Sequence, residues 1–402
     1  MTPAVDQKRA TRNARVGVTA PLGFRAAAVA AGLKPGDQLD VAVVVNDGPH
    51  PASAAVLTRN RVHAAPVAWT RRVISEGTVT SVVLNSGGAN ACTGEGGYAD
   101  TVATAELVSS RLGVSASRVA VCSTGLIGER LPMNKLSAGV VQACQSMSAE
   151  SGLAAADAIR TTDTVSKTAQ RVAGGVTVGA MAKGAGMLAP GLATMLAVIT
   201  TDAVTDSATL DRVLRQATAL TFDRVDSDGC MSTNDSVIAM ASGASGVVVG
   251  DDLSEPDFEQ LVVDVCADLA RQLVRDAEGA SKDIRIDVTR AATQDEAVSV
   301  GRAIARSNLF KCAIHGEDPN WGRVLSAVGT TEAEFDPDDL AVAINGVWVA
   351  EKGQAAADRA LVDLRGRDVV VTVDLGAGAA AASIWTNDLT AAYVHENSAY
   401  SS

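Results

Sequence analysis

The chain has 402 residues, of which 47% are hydrophobic, 20% charged and 3% aromatic. That suffices for two or three domains or one large α/β unit, and is too apolar for a disordered protein. Lys and Arg number 34 against 46 Asp and Glu, a net charge of −12 that repels phosphate backbones; with so few rings for stacking on bases, nucleic acid is disfavoured as a partner.

The first twenty residues, MTPAVDQKRATRNARVGVTA, are polar and lack the apolar core of a secretory signal. Short valine-rich runs bounded by turn residues predict buried strands at 39–45, 79–85 and 117–122. Helices are expected at 101–113 and 132–148, then strand-like runs at 172–181 and 195–200. A helix at 206–219 places Leu210, Val213, Leu214 and Ala217 on one face, with Asp206 or Ser207 as its N-cap. The clearest helix is 255–278, where Phe258, Leu261, Val262, Val265, Leu269 and Leu273 form an apolar stripe; Ser254 and Asp257 resemble a capping box and Gly279 marks the end. A strand at 283–289, helices at 294–308 and 321–328, and strands at 339–344 and 368–375 complete the pattern. This alternation predicts an α/β fold of mixed sheets layered with helices, in two lobes. The apolar run at 184–201 is interrupted by Pro190 and glycines and is followed by Asp202, so no membrane span is expected.

Several motifs carry little. Six cysteines, at 92, 122, 144, 230, 266 and 312, include no C-x-x-C pair and read as reduced, buried thiols of a cytoplasmic protein. Four histidines and no H-E-x-x-H give no reason to expect a metal. G-x-G-x-x-A occurs at 184–189 and 376–381, but the first runs into Pro190 and the second leaves too little chain for a βαβ unit, so nucleotide binding is not expected. His315, between Ile314 and Gly316, reads better as a hydrogen-bonded structural histidine than as a general base.

Four loops are punctuated by glycine and polar residues as loops around a site often are: 85–94, 122–128, 183–190 and 318–323. Each alone is equally a tight turn. Thr124 and Gly125 follow a predicted strand, where a hydroxyl beside a glycine amide can supply two donors to one oxyanion. Segment 183–201 places Lys183 in an otherwise uncharged stretch and then Ala193-Thr194 ahead of a buried strand. A threonine there is either an ordinary strand residue or a self-cleaving nucleophile. In the second case its hydroxyl attacks the preceding carbonyl, and hydrolysis of the ester frees an α-amine of pKa about 7.7–8 that can serve as base for the same hydroxyl. Glu278, expected at a helix C-terminus where the dipole disfavours a carboxylate, is either solvated or held for a cationic ligand. The tail 396–402 is polar with one aromatic, as frayed termini often are.

Taken together, GVTAPLGF (17–24), TRN (58–60), NSGGANACTG (85–94), CSTGLIG (122–128), TTD (161–163), KGAGMLAP…LATML (183–196), TFDR…DGCMSTNDS (221–236), DPNWGR (318–323) and ENSAYSS (396–402) resemble the ornithine acetyltransferase (glutamate N-acetyltransferase) family along nearly the whole chain. The departures from its pattern are Arg160 before TTD and Leu192 before Ala193. The resemblance implies an acyltransferase of arginine biosynthesis that moves acetyl from N2-acetyl-L-ornithine to L-glutamate by a ping-pong route. It implies self-cleavage between Ala193 and Thr194 into an α-chain, 1–193, and a β-chain, 194–402. Thr194 becomes the nucleophile, its α-amine the base, and Thr124 and Gly125 the oxyanion hole. Substrate contacts are expected from Thr161, Lys183, Thr194, Glu278, Asn397 and Ser402. Lys183 suits an α-carboxylate, and Glu278 the side-chain ammonium of ornithine. The resemblance implies no metal or organic cofactor and an assembly of αβ heterodimers. Alternatives within it are a bifunctional enzyme that also uses acetyl-CoA and a paralogue of secondary metabolism. Outside it stand an N-terminal-nucleophile amidohydrolase or aminopeptidase and, least favoured, a non-catalytic binding protein.

Overall fold

A computed structural model describes residues 15–189 and 195–399. Alanine- and valine-rich segments form β1 (Phe24–Val29), β2 (Val41–Asn46) and β3 (Ala52–Leu57). Helix α1 (Ala65–Ile74) has Pro66 in its first turn, where the missing N–H has no helical partner to lose. There follow β4 (Ser81–Asn85), α2 (Gly94–Leu112), β5 (Val119–Ser123), α3 (Met133–Gln145) and α4 (Gly152–Ala158). The hairpin β6 (Lys167–Ala173) and β7 (Val176–Lys183) leads to β8 (Leu196–Thr201). Helix α5 (Ser207–Leu220) is capped by Asp206, whose carboxylate accepts from the Thr209 amide. After β9 (Ser236–Ala241), Ser254 caps α6 (Glu255–Arg275) by accepting from the Asp257 amide. The last third holds β10 (Asp283–Ala291), α7 (Gln294–Ala305), α8 (Asn308–His315), α9 (Trp321–Val328), β11 (Ala341–Ile344), β12 (Val347–Glu351), β13 (Gln354–Ala355), β14 (Asp368–Asp374), β15 (Ala380–Asn387) and α10 (Ala391–Ala399).

The strands form three sheets, ordered β1-β2-β4-β5, β3-β9-β8-β7-β6 and β13-β12-β11-β14-β10-β15. Each mixes parallel and antiparallel pairs. The five-stranded sheet uses the two-residue side-chain period on both faces. Met181, Leu196, Val198, Ile238 and Met240 share a core with the four-stranded sheet and α1–α4. Their neighbours Ala180, Ala182, Ala197, Ile199, Val237 and Ala239 pack on α5 and α6. The six-stranded sheet has a separate core against α7–α9. The result is the expected mixed α/β architecture: one lobe of two sheets sandwiched with helices, and a second lobe of one sheet.

Some boundaries differ from the sequence reading. The expected strand 172–181 is a hairpin that turns at Gly174-Gly175. The expected helix 294–308 stops at Ala305, and Ser307 caps a new helix by accepting from the Phe310 amide. Helix α6 ends at Arg275, so Glu278 lies in the turn beyond it and not in its last turn. The cysteines are free but not uniformly buried: Cys122 and Cys266 are, Cys144 is half-buried, and Cys92, Cys230 and Cys312 are exposed. Among the described residues no helix is long and apolar enough to cross a membrane.

Docking of α10 depends on one glycine. Gly279 has φ +60°, and a Cβ there would stand 2.2 Å from the Tyr393 backbone nitrogen. Thr390 Oγ1 donates to the Gly279 carbonyl at 2.7 Å. Gly279→Ala is therefore expected to cost about 1–3 kcal/mol from the backbone conformation alone and to force the helix away. Chymotrypsin should then cut at Tyr393 faster than in the parent protein; an unchanged cleavage rate would show that α10 is held by other contacts.

Candidate active site

The loop after β5 is fixed from two sides. Asn85, opposite Ser123 in the β4–β5 pair, accepts from the Ser123 hydroxyl (2.6 Å) and donates to the Gly88 carbonyl (3.1 Å). Its carbonyl accepts from the Thr124 amide, and the Thr124 carbonyl from the Gly88 amide. Buried Asn234, from the 231–236 segment, spends both amide protons on the Ala89 and Ser123 carbonyls, at 2.6 and 2.8 Å. Gly125 follows with φ +130°; a Cβ there would lie 2.8 Å from the Gly88 nitrogen. Among the described residues, neither the Thr124 hydroxyl nor the Gly125 N–H is committed to a hydrogen bond. Both line one pocket, as the donor pair of an oxyanion hole requires.

The opposite wall starts where β7 ends. Lys183 is 3% exposed and lines the same pocket. Burial pulls its ammonium below the ordinary lysine range; Asp163, Asp235 and Glu278 oppose that pull and Lys167 adds to it. The Asp163 carboxylate lies 3.9 Å from the Lys183 ammonium. Burial works against ionising Asp163, but Lys183, Lys167 and the Gly184 amide outweigh it and hold the carboxyl down to about 2. Asp235 is the reverse case. Fully buried, it accepts from the Met195 amide (3.0 Å), its second oxygen has no hydrogen-bond partner among the described residues, and burial raises its pKa well above the carboxylate range.

Glu278 and Asn397 close the pocket. The Glu278 amide donates to the Ala185 carbonyl at 2.9 Å, which ties the turn after α6 to the 183–189 loop. Asn397, on α10, donates to the Glu278 carboxylate at 3.0 Å. Glu278 is 8% exposed, so the solvated alternative does not hold.

The structure thus gathers Thr124, Gly125, Thr161, Lys183, Glu278 and Asn397, which span most of the chain, around one pocket. Ala193, Thr194 and Ser402 lie outside the described residues. Sequence reasoning did not single out Ala89, Ile127, Thr162, Met187 or Ser232–Asn234 as lining, although all sit inside the motif stretches. It also passed over Asp163, Lys167 and Asp235, whose importance comes from burial. His315 shares the Asp388 carboxylate with Ser281 and does not line this pocket, in keeping with a structural role. Among the described residues no group of three or more His, Cys, Asp or Glu side chains is placed to hold a metal ion.

The ArgJ family model matches residues 25–402. The arginine biosynthesis bifunctional protein ArgJ of Thermobifida fusca is 63% identical over 384 residues, 96% of this chain and 99% of that protein. Its namesake in Streptomyces coelicolor is 63% identical over 385 residues, 96% of this chain and all of that protein. Among solved structures, the ornithine acetyltransferase of Mycobacterium tuberculosis in complex with ornithine is 51% identical, covering 45% of this chain and 97% of that one, with a TM-score of 0.41.

Removing the Asn234 amide would leave two buried carbonyls unpaired, at about 1–3 kcal/mol each. Asn234→Ala is expected to lower the urea midpoint accordingly and to slow any reaction that uses the 124–125 loop. A midpoint within error of the parent protein would mean that other contacts hold that loop.

Proposed function

The chain belongs to the ArgJ family, and from that membership and this pocket we propose that it is a glutamate N-acetyltransferase moving acetyl from N2-acetyl-L-ornithine to L-glutamate. The observation that carries the reading is the convergence, in one pocket, of an uncommitted hydroxyl–amide pair, a buried ammonium and a buried carboxylate. These are what an N-acetylated diamino acid needs at its acyl oxygen, its carboxylate and its side-chain ammonium.

The mechanism begins with maturation. The Thr194 hydroxyl attacks the Ala193 carbonyl, the peptide becomes an ester, and water cleaves it to leave Thr194 at a new N-terminus. In turnover the neutral α-amine of Thr194 takes the proton of its own hydroxyl as the oxygen attacks the acetyl carbonyl. Thr124 Oγ1 and the Gly125 N–H stabilise the tetrahedral oxyanion. The α-nitrogen of ornithine leaves with the proton, and the acetyl group remains as an ester on Thr194. Glutamate then enters, its neutral amine attacks the ester, and the same oxyanion hole serves the second half. Lys183 pairs with the α-carboxylate of either amino acid. Glu278, steadied by Asn397, takes the ornithine ammonium; Thr161 and Ser402 complete the contacts. The acetyl group travels on a side chain of the protein, so this route calls on no metal or organic cofactor. The cleaved halves are expected to act as αβ units of a larger cytoplasmic assembly.

The relatives' names, which call those proteins bifunctional, favour a second reading in which acetyl-CoA also serves as donor. Glutamate acetylation with acetyl-CoA as the sole donor decides it. An N-terminal-nucleophile amidohydrolase would instead pass the acyl group to water, and the ratio of acetate to N-acetylglutamate separates the two.

The denaturing mass spectrum of the purified protein should show two fragments, one beginning at Thr194. Thr194→Ala should leave a single intact chain and abolish transfer; retained transfer would sink the mechanism. Glu278→Gln should raise the KM for acetylornithine by about tenfold or more, the value of a charge-assisted hydrogen bond, and leave glutamate less affected. An unchanged acetylornithine KM would remove Glu278 from the ammonium site.

A further inference from the structure

The TTD stretch at 161–163 ends on a residue that the proposed reaction does not use. Asp163 is 3% exposed, and every hydrogen bond it makes is accepted from a donor. Its Oδ1 accepts from the Lys167 ammonium and the Gly184 amide, both at 2.6 Å. Its Oδ2 accepts from the Thr161 amide at 3.0 Å. One carboxylate therefore holds the backbone of a pocket residue, Thr161, and of the residue that follows another, Lys183. Lys167 is fully buried and is divided between two acids, Asp163 and, at 2.5 Å, Asp276. Asp276 in turn accepts from the Thr164 amide at 3.0 Å and from the Thr164 hydroxyl.

Lys183 stands at the edge of this arrangement. Its ammonium is 3.9 Å from Asp163 Oδ2, beyond hydrogen-bond distance but close enough for the charges to act on each other. A lone buried Asp–Lys pair would close to about 2.8 Å, and the lysine would spend its protons on the aspartate. Here Lys167 and two backbone amides already give Asp163 three donors at hydrogen-bond distance, so it is satisfied without Lys183 and offers it charge across 3.9 Å.

We propose that Asp163 and Lys167 are positioning residues: Asp163 favours the charged form of the Lys183 ammonium, and Lys167 occupies Asp163 so that Lys183 stays unbonded and its hydrogen bonds go to the carboxylate of the amino-acid substrate. The inference rests on the reading of Lys183 as the carboxylate partner. It assigns work to two residues that touch no substrate. Among the described residues, the titratable groups facing Lys183 are Asp163 from the loop after α4, Lys167 from β6, Asp235 from the segment before β9 and Glu278 from the turn after α6. Lys167 is the only cation among these four. Removing it and removing Asp163 must therefore move Lys183 in opposite directions.

The test reads Lys183 directly, without relying on turnover. Cyanate carbamylates neutral amines, so its rate at Lys183, followed by peptide mass spectrometry against pH, reports when the ammonium loses its proton. In the unaltered protein Lys183 should react while Lys167, engaged by two carboxylates, stays protected; a fully protected Lys183 would overturn the inference. Lys167→Met should raise the midpoint for Lys183 by about one pH unit and draw the lysine onto Asp163. Asp163→Asn should lower it by a similar amount. Either variant decides by its sign if the other does not fold, and unchanged midpoints would overturn the inference. In Lys167→Met the KM for acetylornithine should also rise about tenfold with kcat changed less, and Lys167→Arg should restore part of the loss. Midpoints that move as expected beside an unchanged KM would leave the charge arrangement standing and remove Lys183 from the substrate carboxylate, which separates a failure of this inference from a failure of the functional reading.

Discussion

Burying a lysine ammonium to 3% exposure is the constraint around which the pocket is built. An isolated charge cannot be paid for by hydrophobic packing, so acids must surround it. Those acids come from four places in the chain, Asp163, Asp235, Glu278 and, through Lys167, Asp276. Each then needs its own partners: amides of Thr161, Gly184 and Met195, and the side chain of Asn397. The same bonds that satisfy charge also set the backbone of the lining residues. Electrostatic satisfaction and pocket geometry are thus one set of contacts.

The five-stranded sheet makes this possible across residue 193. β7 pairs antiparallel with β8 from Val178↔Thr201 to Lys183↔Leu196, and β8 pairs parallel with β9 over its whole length. Those ladders do not depend on the peptide bond between 193 and 194. The strand that follows a cut there stays clamped by sheet hydrogen bonds on both sides and by the Asp235–Met195 bond at its first turn. A cut at that bond would therefore leave the core intact, because the strands on either side belong to one sheet.

The sequence made legible what depends on local pattern. The stripe from Phe258 to Leu273 and the Ser254 cap place α6, and valine runs mark β2, β4, β5 and β14. Strands β1 (FRAAAV) and β3 (ASAAVL) escaped because alanine is a strong helix former and is depleted in strands; pairing with β2 and β9 decides them. The cysteines misled for a related reason: apolar neighbours in sequence do not say which way a side chain faces, and Cys312 points outward from α8 while Phe310 and Ile314 point in. Five of the six site residues that the structure describes lie in motif stretches, Glu278 stood out by its place at an expected helix end, and the structure brings all six to one place. Asp163 and Lys167 could not be read in the same way, since nothing in TTDTVSK distinguishes a buried ion pair from a solvated one.

Glu278 shows where a local rule was displaced by a tertiary one. Read as the end of a helix, its carboxylate faces an unfavourable dipole. The helix stops at Arg275, and the next residues turn so that the Glu278 amide meets Ala185 and its side chain meets Asn397. That turn depends on Gly279, whose backbone conformation and lack of a Cβ let α10 lie against it. The second lobe contributes too: Asn387, at the end of β15, donates to the Val274 carbonyl near the end of α6 and to the Lys282 carbonyl, holding both ends of the 275–281 connection. The Glu278 carboxylate is therefore placed by elements from both lobes. No single sheet contains the pocket, which is why its residues lie so far apart along the chain.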